Sequence, residues 1–142
     1  PANPSGRTQI DGPTEIIDLD RTDANRTLVV DFINTCLIDR KLDQISNFIS
    51  SDTYIQHNPD VPDGLDAFLA LITPEDCPLR YQECFMVVAE GNFVATLNRA
   101  SWDSQDLCQV DLFRVESGKI VEHWDNSEPV PPKEEWANSG KF

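Results

Sequence analysis

The chain has 142 residues and a mass of 16.0 kDa, enough for one domain that buries about two-thirds of the surface its unfolded form exposes. Its 11 Lys and Arg against 25 Asp and Glu give a formal charge of -14 and a pI near 4.2, a field that repels nucleic-acid phosphates and anionic lipid surfaces. No apolar run approaches the roughly 20 residues that span a bilayer, so neither nucleic acid nor membrane is expected as a partner.

Residues 1–20 are rich in Pro, Gly, Asp and Thr, with Ile16, Ile17 and Leu19 as apolar anchors. They read as an arm, mobile or strapped down, beside a single domain over 21–142. The first residues lack the basic start and apolar stretch of a signal peptide, and a cytoplasmic location is the expectation. From Thr22 the pattern turns helical: Leu28, Val29, Phe32, Ile33, Cys36 and Leu37 share one face, with Thr22 or Asp23 placed to cap the first free amides. Leu42, Ile45, Phe48 and Ile49 repeat the spacing and predict a second, short helix. Tyr54–Pro59 is an extended stretch, since a residue before proline avoids helical dihedrals. Leu65, Phe68, Leu69 and Ile72 predict a third helix, stopped at Pro74.

Four aromatic and β-branched runs follow, at about 79–89, 93–103, 107–116 and 119–127. The short turns between them demand antiparallel neighbours. The layout is α+β, three helices against a four-stranded meander. The tail from Pro129 reads as irregular.

Four ionisable residues fall within ordered segments rich in aromatic side chains: His57, Asp111, His123 and Asp125. Alternation on the fourth strand puts Val121, His123 and Asp125 on one face and Ile120, Glu122 and Trp124 on the other. Burying Trp124 would leave His123 and Asp125 in water, unless the sheet is covered on both sides and Trp124 faces a partner subunit. Asp111 shares a face with Phe113 and Val115. If that face is covered, its protonated form is favoured and it becomes a hydrogen-bond donor; if not, it is a solvated carboxylate. His57, ahead of Asn58-Pro59, is either a loop histidine satisfied by backbone or a proton shuttle at a loop mouth.

Cys36, Cys77, Cys84 and Cys108 stand at irregular spacings, which suggests reduced buried thiols and no zinc site. No Gly-rich phosphate loop, G-x-S-x-G elbow or H-E-x-x-H occurs. The expectation is therefore no cofactor and no metal.

The segments YIQHNPDVPDG and VDLFRVESGKIVEHWD, with a tail ending in NSGKF, closely resemble the SnoaL-like polyketide cyclase group of the NTF2-like superfamily. The resemblance runs from about residue 24 to the C-terminus. It implies a cone of three helices against a curved, mostly antiparallel sheet, a deep apolar pocket, and a homodimer joined through the outer sheet faces. Relatives of this kind include ketosteroid isomerase, scytalone dehydratase, limonene epoxide hydrolase and polyketide cyclases, all cofactor-free acid–base catalysts.

By the resemblance, His57 falls where the isomerases carry a proton-shuttling aspartate, and Asp111 where they carry a protonated aspartate that donates to an oxyanion. Asp125 matches the last-strand aspartate of the epoxide hydrolases and lies near the acid–base aspartate of the cyclases; His123 shares its inward face. The isomerases' donor tyrosine has no counterpart on the first helix, which offers Phe32 and Ile33. Two functions follow as expectations. One is a cyclase, isomerase or dehydratase acting through an enolate on a small apolar carbonyl or polyketide-like ligand, with His57 or Asp125 as base and Asp111 or His123 stabilising the enolate. The other is a non-catalytic hydrophobic-ligand-binding or scaffold domain.

Overall fold

The first long helix, α1 (Thr22–Phe32), starts where the Thr22 hydroxyl donates to Leu19 O (2.8 Å) and accepts from the Gly91 amide (2.8 Å). Beyond Phe32 the helix continues as a widened π turn, Ile33–Ile38. Val29, Phe32, Ile33, Cys36 and Leu37 are buried, as the apolar stripe requires. The computed structural model describes residues 2–142.

The second predicted helix is corrected to a six-residue 3-10 helix, Leu42–Asn47. Its apolar residues Leu42, Ile45 and Phe48 are three apart, and a 3-10 helix aligns residues at that spacing on one face. α2 (Leu65–Ile72) forms where it is expected and buries Leu65, Phe68 and Ile72. No helix of the described residues is long and apolar enough to cross a membrane.

Strands β2 (Leu79–Glu90), β3 (Phe93–Trp102), β4 (Gln105–Glu116) and β5 (Lys119–Pro129) make the antiparallel meander. Two of its turns, Asp103-Ser104 and Ser117-Gly118, have positive φ at both central residues, the geometry that matches strand twist in two-residue hairpins. One strand was not anticipated. β1 (Ile55–Gln56) pairs in parallel with β5, Gln56 opposite His123, giving the order β1-β5-β4-β3-β2. Helices and the concave face enclose a core centred on Phe32, Phe68, Phe113 and Ile120.

Residues 3–17 are strapped down, crossing the outer face of β5 and the loop after β1. The Asn3 amide nitrogen reaches the carbonyls of Gln56 (3.1 Å), Asn58 (2.7 Å) and Val61 (3.2 Å), and Arg7 pairs with Asp63 (2.7 Å). Farther along, the Asn92 backbone N–H donates to Ile17 O and the Ile17 N–H to Asn92 Oδ1 at the β2–β3 turn, where Gly91 is required: a Cβ there would lie 2.1 Å from Ile17 O. The arm also covers Trp124, whose indole N–H donates to Asp11 O (3.1 Å). Part of the cover of Trp124 thus comes from its own chain.

Candidate active site

A cavity of about 420 Å³ opens between the helices and the concave sheet face. That volume suits a small organic ligand, for which sites run roughly 300–1,000 Å³. Phe32, Leu37, Phe68, Leu79, Leu107 and Phe113 give it apolar walls. Much of its polar lining comes from alternate positions on three strands: Tyr54, Gln56 and Asn58 around β1, Gln109 and Asp111 on β4, and His123, Asp125 and Ser127 on β5.

Asp111 is fully buried, at the centre of this lining. One oxygen faces the Tyr81 hydroxyl (2.8 Å) and the Asn98 amide nitrogen (2.9 Å), the other His123 Nε2 (2.8 Å) and the Gln109 amide nitrogen (3.2 Å). All four neighbours can donate. Both Asp111 oxygens are therefore taken up by protein partners, which leaves neither free to face the oxyanion that the resemblance sets against it.

His123 is oriented from both sides. Gln56 Oε1 accepts the Asn58 backbone N–H (3.0 Å), which fixes the amide, so His123 Nδ1 at 2.9 Å from the same oxygen must carry a proton. Burial opposes a charge on this ring, but the hydrogen bond with Asp111 and the charges of Asp111 and Asp125 more than offset it and hold His123 above its usual 6.5. The neighbouring charges thus favour the protonated form of a ring held between Gln56 and Asp111.

Asp125 is half-buried and receives only amides at Oδ2, from Asn58 (2.8 Å) and Gln109 (3.5 Å). Among the described residues no donor is placed on Oδ1, which leaves that oxygen to the cavity. Tyr54 is its counterpart: the hydroxyl accepts from Gln56 at 3.4 Å and keeps its own proton uncommitted. Burial, then the charges of Asp111 and Asp125, push the Tyr54 phenol well up, and burial with Asp111 does the same for Tyr81. Both stay protonated donors.

Asp111, His123 and Asp125 bring donor atoms within 4.8 Å of one another, a set that could hold a cation. Their hydrogen bonds argue against it. Both His123 nitrogens and both Asp111 oxygens are engaged by protein partners, so a metal would have to displace several of them.

His57 is not in the cavity, which corrects its placement as a candidate base. It is buried on the opposite face of the sheet, stacked on Trp124 at 4.6 Å and 5°. Its Nδ1 faces Thr8 O (2.6 Å) and Asp11 Oδ1 (2.9 Å), and its Nε2 faces Glu122 Oε1 (2.8 Å). Residues 54, 56 and 58 point inward, so 57 points out. The same parity, applied to the stretch before Pro59, would have found Tyr54, Gln56 and Asn58, all of which went unnoticed. The cysteines are free thiols; Cys36 and Cys77 are buried, Cys84 and Cys108 half-buried. Burial pushes Cys36 up to about 11.

No protein-family model matches the chain, and no curated protein matches it. Solved structures do. A protein from Kribbella flavida DSM 17836, assigned provisionally as a ketosteroid isomerase, superposes with a TM-score of 0.67 at 16% identity over 86% of this chain and 93% of that one. An M. tuberculosis LEH-like epoxide hydrolase gives 0.63 at 17% over 75% and 84%. IdmH from Streptomyces antibioticus, a candidate polyketide cyclase, gives 0.60 at 18% over 73% and 91%. Other matches are NTF2-like proteins of unknown function, one from Burkholderia xenovorans LB400 at a TM-score of 0.64. At these identities the likeness shows the fold alone: the chain has the NTF2-like fold.

Proposed function

We propose that the chain is a cofactor-independent acid–base enzyme that forms an enolate from a small apolar carbonyl compound, opening the way to cyclisation, isomerisation or dehydration. One observation carries this reading. Gln56, Asn98, Gln109, Asp111 and His123 are all buried around one carboxylate beside an apolar cavity, and Asn98 Oδ1 has no partner among the described residues. Burying such groups costs stability, a few kcal/mol where a partner is lacking, and a scaffold would gain by replacing them with apolar side chains.

The roles follow from which atoms are free. Asp125 Oδ1 is placed to take a proton alpha to the carbonyl and return it later, and the Tyr54 hydroxyl to donate to the developing enolate oxygen. His123, its nitrogens spent on Gln56 and Asp111 and its protonated form favoured by the charges of Asp111 and Asp125, stabilises negative charge developing on that oxygen. The charged residues lining the cavity are Asp60, Asp111, Asp125 and His123, with no Lys or Arg. This favours an uncharged or cationic ligand over a carboxylate.

The test is solvent deuterium exchange at the alpha carbon of compounds that bind, drawn from a panel of β-keto and polyketide-like molecules. Exchange by the wild type that falls about 10²–10⁴-fold in Asp125→Asn supports the reading. A tightly bound panel member that shows no exchange, or equal exchange in both proteins, replaces it with the binding-module reading.

A further inference from the structure

We propose that the N-terminal arm is a working part of the cavity, with Asn3 and His57 as positioning residues that hold the loop after β1 so that Gln56 and Asn58 orient His123 and Asp125. This takes the cavity as the site described above and adds a support that lies on the other side of the sheet.

The path is continuous. Gln56 and Asn58 touch His123 and Asp125, and His57 stands between them with its ring on the outer face. That ring is gripped by Thr8 and Asp11 of the arm on one nitrogen and by Glu122 on the other, while Glu122 is held by Arg114 Nε (2.7 Å). Asn3 is buried despite its place near the chain start, and its single amide nitrogen reaches the carbonyls of Gln56, Asn58 and Val61. Asp63 closes the loop from the far side. Its carboxylate accepts the Gln56 backbone N–H (3.0 Å) and Arg7, and its own N–H donates to the Ser5 hydroxyl (2.8 Å). A two-residue strand and a proline-containing loop have few hydrogen bonds of their own, so outside ties set where Gln56 and Asn58 sit.

The arm itself is mostly exposed, and Gly12 lets it lie flat: a Cβ there would come within 2.7 Å of Glu122 and Trp124. Polar pins, not apolar burial, fasten it. Cutting a pin should therefore move the loop without unfolding the domain.

His123 reports the result, because the chain has only two histidines. Imidazole nitrogen spectra of the full-length protein would be recorded against pH for the wild type, Asn3→Asp and His57→Phe. Asn3→Asp keeps the shape but sets a carboxylate against three carbonyls; His57→Phe keeps the stack on Trp124, removes both ring nitrogens and leaves one imidazole. Losing the Gln56 acceptor disfavours the charged ring, so the His123 midpoint should fall by about 0.5–1 pH unit in either variant, with thermal unfolding still cooperative. A His123 midpoint and Nδ1 shift matching the wild type in both variants overturns the proposal. The readout needs no substrate, so this failure would leave the enzymatic reading standing, and absence of deuterium exchange would leave the arm's role standing.

Discussion

His123 and Asp111 show how one buried pair ties pH to stability. The folded value of His123 lies above its unfolded 6.5, so its contribution is fully present below about 6.5 and is lost as pH rises through the folded value. Wild-type melting temperature should therefore decline as pH rises from about 6.5 through the folded value, and the decline should flatten in His123→Gln. The two tyrosines separate stability from chemistry. Tyr81→Phe takes a donor from a buried carboxylate and should cost about 1–3 kcal/mol in denaturant unfolding. Tyr54→Phe removes a hydroxyl whose proton serves no protein partner, so it should leave stability nearly unchanged while lowering turnover about 10²–10³-fold. At this scale the sequence was partly legible. Alternation paired His123 with Asp125 on β5 and set Asp111 beside Phe113 and Val115 on β4, and left open which of those faces is covered. It could not say which of them would be left with free atoms, because that depends on Tyr81, Asn98 and Gln56 arriving from other strands. Parity also bore on His57, but a histidine before Asn-Pro drew attention to its chemistry and away from its direction.

Among the elements, the meander and α2 were readable because their turns and stops are local: Gly91, Ser117-Gly118 and Pro74 act within a few residues. The second helix was not, since apolar spacing of three fits both an α-helix and a 3-10 helix. β1 was invisible as a sheet member, because two residues carry no period and the pairing partner lies nearly seventy residues away. The arm was the hardest to read, since its fastenings are single polar contacts. Gly91 gives that contact a test. Gly91→Ala places a methyl against Ile17 O and asks a non-glycine residue to hold φ of 57°. Hydrogen exchange at Ile17 and Asn92 should accelerate at least about tenfold, while protection in the middle of β3 and β4 stays close to wild type.

For the whole molecule, charge and an uncovered sheet surface set the expectations. A chain of formal charge -14 with a cavity lined by three carboxylates should discriminate on ligand charge: a free acid should bind at least about tenfold more weakly than its methyl ester. The outer face of the sheet is covered by the arm near Trp124 and by the tail near Phe85, where Phe142 stacks at 5.1 Å. Between them Met86, Val88 and Val110 remain exposed. This patch is where we propose that two copies meet, now centred on these residues in place of Trp124. Sedimentation should show a dimer at micromolar concentration that Val110→Lys dissociates; a monomeric wild type contradicts it.

The division of labour between Asp125, Tyr54 and the His123–Asp111 pair is the central claim, and a crystal structure with a bound enolate mimic, such as a planar phenol that fills the cavity, tests it most directly. The mimic's oxygen should lie within hydrogen-bonding distance of the Tyr54 hydroxyl. The adjacent carbon should face Asp125 Oδ1, with His123 still held between Gln56 and Asp111. A mimic whose oxygen turns away from Tyr54, or one that binds on the His57 face of the sheet with the cavity left to solvent, would contradict it.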